Sequence, residues 1–421
     1  MRGCLVGFFF SGAMVWSNLV SGAVGTAGPQ DVQDEVVQDV DADQEAVTDD
    51  PPTDPATDPT PKLTTYMAMQ RQLRTLDEQI TRILRAVPIG DVQRRREMMA
   101  TVDQMKARKQ QIHEALPQAA IDAYIESPET NQVVTAHVVS LIRDLLAETI
   151  NPQRFDPDRA YEIATHICAT ETTNQALVFL AGRACFVTQR FDEAERYLQR
   201  LVELGTTIPN EAFETLSKTR EHWARELTFR EVDETASLPR VRLKTTAGDV
   251  VIELFEDQAP NTVARFLDLV EKKFYDGMIF YQHRPGQFSS TGCLRGDGST
   301  AFEYFIPSES QLDDARHHFV GSVEMLSPTP DRASCQIAIM HSPIEDRNGK
   351  GTVFGRVISG LDVVFKFAPI EPQMRFARPS TRIVTATVER KRTHIYEVKQ
   401  KIPFEEQPQF PLPLGGGNVD Q

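Results

Sequence analysis

The chain has 421 residues and a formal net charge of −15, from 60 acidic and 45 basic residues. That length exceeds a single ordinary domain and suits two or three. Eleven of the acids lie between Asp31 and Asp58, a stretch without Lys or Arg. The rest of the sequence is therefore close to neutral and lacks the basic excess of a nucleic-acid surface.

Residues 1–27 read as an export signal. Arg2 precedes an apolar run from Cys4 to Val20, and small residues follow it, with cleavage after Ala23 or Ala27. This makes the protein exported, either periplasmic or secreted. The alternative is an uncleaved segment that anchors the chain in a membrane, although the run is short for a span. Residues 28–62 end in DDPPTDPATDPTP and contain no aromatic side chain. Such a stretch cannot bury enough apolar surface to offset chain entropy, and it reads as a disordered acidic Pro-rich linker.

Across 63–117 the apolar residues Met69, Leu73, Leu76, Ile80, Ile83 and Val87 alternate at spacings of four and three. Pro88-Ile89-Gly90-Asp91 breaks this seam, and Met98, Val102, Met105, Ile112 and Leu116 resume it. The pattern predicts an αα-hairpin, packed within the chain or presented as a coiled-coil spacer or dimerisation arm. Residues 118–238 keep a helical period. Within them AGRACFVTQRFDEAERYLQRLVELG is similar to a tetratricopeptide repeat, with small Gly182 and Ala194 and larger Phe191, Leu198 and Leu201. This region reads either as a peptide-binding groove or as an irregular bundle with one repeat-like hairpin. Cys168, Cys185, Cys293 and Cys335 form no CxxC pair, which removes that zinc signature. They read as buried small apolar residues or as thiols able to pair in an oxidising compartment.

At Leu238-Pro239 the hydrophobic period switches from helical to alternating. Val241 and Leu243, then Val250, Ile252 and Leu254, flank the turn TTAGD and predict a β-hairpin. Pro260 opens a helix whose apolar face carries Val263, Phe266, Leu267 and Val270. RIVTATVERKR predicts a last strand. Residues 239–399 thus read as an antiparallel β-barrel capped by helices, and residues 400–421 as a disordered tail.

Three segments of this region, VRLKTTAGDVVIELFEDQAPNTVARFLDLV, FYDGMIFYQHRPGQFSSTGC and GKGTVFGRVISGLDVVFKF, resemble in order and spacing a cyclophilin-type peptidyl-prolyl cis-trans isomerase domain. The resemblance implies the cyclophilin barrel, no cofactor and no metal. It implies proline-containing segments of exported client proteins as partners, with a further protein partner through the helical region. In the family, an Arg that follows Phe-His donates to the prolyl nitrogen, and apolar side chains form the proline pocket. Here Phe280 matches the family Phe, Tyr281 stands in the His place and Gln282 in that of the catalytic Arg. Gln287 and Phe288 fall at the pocket Phe and Met, and Ser290 at a substrate-binding Gln. Gln336 matches a second Gln, Ala338 replaces a pocket Phe, and Leu326 replaces a small Ala. Asp346 and Arg347 fall near the usual Trp and Leu, and Gly351 replaces a His, while Phe354 and Gly355 are kept.

Rotation about an X-Pro bond is slow because amide resonance sets a barrier of about 18–20 kcal/mol. A catalyst needs a pre-placed donor that stabilises the twisted amide and a pocket that holds the ring. Arg284 lies two residues beyond Gln282, on the same face of a strand but displaced by about 6.5–7 Å. The resemblance therefore implies either a relocated donor at Arg284 or a framework with weak or no isomerase activity. His283, His317 and His318 read as surface or loop residues without catalytic work.

Overall fold

The computed structural model describes residues 60–403 apart from 89, 149–154, 297–300, 328–331 and 369–379. The segment expected to be a signal, most of the expected linker and most of the tail lie outside these residues, and the expected linker's last residues, 60–62, belong to the start of the first helix. No helix among the described residues is long and apolar enough to cross a membrane. They divide into two units: residues 60–141 with 166–177, and residues 142–165 with 178–403.

The first unit is built on a helical hairpin, α1 (Pro61–Ala86) and α2 (Val92–Glu126). Thr60 caps α1 through Leu63 N–H and Pro61 opens it, and Asp91 caps α2 by accepting from Arg94 N–H at 2.9 Å. The helices run antiparallel. Glu126 accepts from Lys62 N–H at 2.9 Å at one end, and Asp77 pairs with Lys109 at 2.5 Å nearer the other. Leu73, Leu76 and Ile80 of the predicted seam are buried against this pairing, as are Val102, Ile112 and Leu116. The second helix does not stop at 117; it continues through Pro117 and buries Ile121 and Tyr124.

Five more helices follow: α3 (Gln132–Leu145), α4 (Pro157–Cys168), α5 (Gln175–Val187), α6 (Phe191–Glu203) and α7 (Asn210–Asp233). In the second unit α5 and α6 meet through Phe186 and Phe191, whose rings stand edge to face at 5.5 Å. Ala181, Ala184 and Ala194 are fully buried there, as the small residues of the sequence pattern require for close helix contact.

The remainder of that unit is an all-antiparallel sheet of β1 (Arg240–Thr245), β2 (Gly248–Leu254), β3 (Gln282–Arg284), β4 (Phe288–Thr291), β5 (Ser322–Met325), β6 (Ile337–Met340), β7 (Thr352–Ser359) and β8 (Ile383–Arg390). Their order is β3-β4-β6-β5-β7-β2-β1-β8. The sheet curls until its ends meet: Phe280 N–H donates to Thr381 O at 2.9 Å and Ile383 N–H to Met278 O at 2.7 Å. The predicted hairpin has Val241 opposite Ile252 and Leu243 opposite Val250, all buried. In β8 the pairing skips Val384, which is exposed, so Ile383 and Ala386 both face the core despite their odd spacing. Helix α8 (Pro260–Glu271) lies against β7 and β8, and the short α9 (Leu361–Val364) against β2. Their apolar faces complete a core containing Phe266, Tyr275, Phe280 and Phe354. Each such side chain contributes about 1.5–3 kcal/mol by leaving water. The four described cysteines are buried and none is in a disulfide.

Arg316 fastens α7 to the sheet. Its side chain is 1 % exposed, with Glu226 at 3.2 Å and Asp233 at 2.7 Å. Its guanidinium lies 4.3 Å from the Phe229 ring centre and 4.0 Å from that of Phe255. Its removal leaves Glu226 with Arg230 at 3.0 Å and Asp233 with Arg356 at 3.7 Å, but takes from both buried carboxylates their most buried cation, so Arg316→Leu should cost about 3–5 kcal/mol in a urea unfolding curve. A loss below ~1 kcal/mol would show the cluster to be dispensable. The fragment 239–399 should melt cooperatively as a β-rich domain, at a lower midpoint than a fragment beginning at residue 142, because it lacks both carboxylates of α7.

Candidate active site

Strand register gathers the predicted site residues. Gln282 of β3 is opposite Ser290 of β4, which is opposite Ala338 of β6, which is opposite Glu324 of β5. This rung presents four side chains on one face of the sheet. One step along, Arg284, Phe288 and Met340 form the next rung on the same face. Phe288, Ala338, Met340 and Ile344 make a small apolar cluster with Leu326 packed against it. Ser290 is fully buried and its Oγ has no hydrogen-bond partner; the buried Gln287 Oε1 likewise has none.

Arg284 returns toward the rung. With its amide oxygen facing the guanidinium, Gln282 accepts from Arg284 Nε at 2.8 Å and Nη2 at 2.9 Å. The guanidinium carbon also stands 5.6 Å from the centre of the Phe288 ring. The long side chain thus recovers much of the displacement its backbone position imposes. Gln336 accepts from Tyr281 Oη at 2.7 Å.

The dominant feature of this face was not legible as a site in the sequence. Glu324 is fully buried, and its carboxylate accepts from Arg347 Nε at 2.7 Å and from Arg347 Nη2. His318 Nε2 lies 3.3 Å from the same carboxylate. Burial pushes the Glu324 carboxyl up, but Arg347 and His318 outweigh it and hold it below the ordinary range. Gly351 makes this possible: a Cβ there would fall 1.7 Å from Glu324 Oε1. His318 is therefore a buried residue rather than a surface one, held by Asn348 Oδ1 at 2.9 Å from both its backbone N and its Nδ1. His317 stacks on His222 with ring centres 3.8 Å apart, and His222 pairs with Glu345 at 2.9 Å.

The opposite face of the β3–β4 hairpin carries a polar chain that sequence reading also missed. Ser289 Oγ lies 2.8 Å from His283 Nδ1 and 2.9 Å from His341 Nε2. Phe155 stacks on His341 at 5.9 Å and packs against the turn at Gly286. Both imidazoles are driven toward the neutral form, His283 down to about 4 by burial. Among the described residues no group of acidic, His and Cys side chains is arranged to hold a metal ion.

The curled antiparallel sheet and its capping helices define one class of fold, and the family and sequence comparisons agree. Residues 240–388 match the family model described as cyclophilin type peptidyl-prolyl cis-trans isomerase/CLD. The chain is 37% identical over 113 residues to peptidyl-prolyl cis-trans isomerase B of Bacillus subtilis, covering 27% of this chain and 78% of that protein. It is 32% identical over 148 residues to peptidyl-prolyl cis-trans isomerase ppi1 of Schizosaccharomyces pombe, covering 32% of this chain and 94% of that one. A solved cyclophilin-type isomerase of Cryptosporidium parvum is 22% identical, with a TM-score of 0.33, covering 37% of this chain and 99% of that one. The chain belongs to the cyclophilin-type peptidyl-prolyl cis-trans isomerase family.

The depressed histidine gives a pH signature. Below the ordinary value of 6.5 the unfolded chain takes up a proton at position 283 that the folded site refuses down to about 4. Stability from this residue is complete above pH 6.5, is lost as pH falls from 6.5 to about 4, and is flat below. Thermal midpoints measured across that window should fall less steeply in His283→Gln than in the natural chain. Equal slopes would contradict the assignment.

Proposed function

We propose that the protein is a cyclophilin-family protein that meets proline-containing segments of exported proteins, with a rewritten site and weak or absent isomerase activity. The observation that carries this reading is the rung Gln282–Ser290–Ala338–Glu324. A neutral amide stands where the family carries a permanent cation, and a buried ion pair occupies the pocket wall. Loss of one pre-placed donor costs about 2.7–4 kcal/mol of transition-state stabilisation, roughly a hundred- to a thousandfold in rate. The second loss is apolar. A proline ring gains by leaving water against aromatic walls, whereas Gln287 and Ala338 offer an amide and a methyl group. Residual catalysis falls to Arg284, whose charge lies against Gln282 and the Phe288 ring.

The export part of the proposal rests on Arg2, the apolar run and the small residues that follow them. The second reading is a non-catalytic peptide-binding or scaffolding protein. The burial of Phe288, Ser290, Ala338 and Met340 favours it, because a catalyst needs that face open to substrate.

A coupled assay on a proline tetrapeptide separates these readings. The natural chain should be a poor isomerase, and Arg284→Ala should remove what remains. Gln282→Arg with Gln287→Phe and Ala338→Phe should raise activity little, because Glu324 and Arg347 still fill the groove. Adding Glu324→Ser and Arg347→Leu to those three should raise it further, by tenfold or more (about 1.4 kcal/mol). Robust turnover by the natural chain would overturn the weak-enzyme reading. Binding of a proline peptide without turnover would favour the second reading.

A further inference from the structure

Two stacked histidines join α7 to the loop before β5. His222 of α7 and His317 lie with ring centres 3.8 Å apart and planes 10° from parallel. His222 Nδ1 is 2.9 Å from Glu345 Oε1, and these two side chains are 19 % and 14 % exposed. Asn348 Nδ2 donates to Glu345 Oε2 at 3.0 Å, and Thr219 Oγ1 lies 3.5 Å from the same oxygen. One residue along α7, the Trp223 ring meets that of Phe319 at 4.8 Å. Both partners of His222 are chain neighbours of the groups that hold Glu324 in the groove. His317 precedes His318, whose Nε2 is 3.3 Å from the Glu324 carboxylate. Glu345 opens the short 3-10 turn Glu345–Arg347, whose last residue donates to Glu324 from Nε at 2.7 Å. Asn348 ties the two paths together, donating to Glu345 and accepting from the His318 backbone at 2.9 Å. A displacement of either partner of His222 therefore reaches the buried carboxylate across one or two peptide units.

The stack resists one charge state. Among the described residues, the charged and titratable groups that face the His317 ring are His222 and Arg225 from α7, His318 from its own loop and Glu345 from the turn. A positive charge on His317 would lie in half-buried surroundings against a second imidazole, with Arg225 and His318 nearby and only Glu345 to oppose them. Burial first, and then His222, hold the His317 imidazole down to about 4. A His317 ring released from the stack returns to the ordinary value of 6.5. The stack is therefore at full strength above pH 6.5, weakens as pH falls from 6.5 to about 4, and weakens no further below. Acid can loosen it by up to about 300-fold across that window.

We propose that the His222–His317 stack is a proton-operated clasp on the groove: acid parts the two rings, and the movement passes through His318 and Arg347 to slacken the ion pair at Glu324. The inference rests on the reading of that face as the peptide groove and gives it a regulator that lies outside it.

The test follows Trp223 in the full chain. The sequence has one other tryptophan, Trp16, and Trp16→Phe leaves Trp223 as the sole reporter. As pH falls from 6.5 to about 4, its emission should move to the red while far-UV ellipticity holds. Backbone amides of segments 315–326 and 344–352, read by hydrogen exchange and corrected for the intrinsic effect of pH, should exchange about tenfold faster at the acid end. His317→Phe keeps a stacking ring that takes no proton, and both responses should disappear. His317→Gln, which takes no proton either, should likewise abolish them and guards against a misfit of the larger ring. His283→Gln should leave both in place, because that histidine titrates elsewhere in the barrel. Emission that stays constant, or that moves equally in the two His317 variants, would overturn the clasp. So would a loss of ellipticity in step with the emission, which marks global unfolding. A Trp223 shift with unchanged exchange in the two segments would overturn the link to the groove. No peptide enters either measurement, so a groove that binds no peptide gives a different result from a clasp that does not open.

Discussion

Arg316 sets the arrangement of the larger unit. A guanidinium this deeply buried is tolerated only with carboxylates and ring faces around it, and Glu226, Asp233, Phe229 and Phe255 supply them. Three of the four belong to α7 (Glu226, Phe229 and Asp233), so this cluster ties the helix to the sheet. The consequences run along the chain. With Arg316 fixed, His317 reaches the His222 ring and Phe319 packs on Trp223 at 4.8 Å. His318 is then turned inward, onto the carboxylate of Glu324.

Glu324, Arg347 and Gly351 form one coupled arrangement. Glu324 brings a charge into the sheet face, and a buried charge demands a partner. Arg347 supplies it through two hydrogen bonds. Gly351 vacates the space that the carboxylate fills. Reversing any one of the three leaves either an unpaired buried charge or a steric conflict. Gly355 illustrates the contrasting case of retention: a Cβ there would lie 2.7 Å from Glu253 O, so the close approach of β7 to β2 requires glycine whatever the groove does.

The two units use charge differently. In the barrel unit, charges are buried and paired. At the hairpin tip Arg82, Arg85, Arg94 and Arg96 are exposed. The acidity of the whole chain resides upstream, between Asp31 and Asp58, so net charge describes neither unit.

What the sequence determined by itself was whatever depends on near neighbours along the chain. The seam of Leu73, Leu76 and Ile80 specifies a helical hairpin because a helix returns to the same face every three or four residues. The β1–β2 pairing follows from alternation and a tight turn, and α8 from Pro260 and its apolar face. Even the rung of Gln282, Ser290 and Ala338 could be inferred once the family pattern was laid on the chain. Tertiary structure alone decided what fills that rung. The bulge that skips Val384 arises from pairing with β1, not from the residues of β8. Arg284 turns back because Gln282 and the Phe288 ring attract its guanidinium. Arg347 is 23 residues from Glu324, His318 reaches it from the loop before β5, and nothing local marks them as partners. Long-range contacts between charges are set by which strands and loops become neighbours, and a strand's own periodicity carries no information about the charge that will face it.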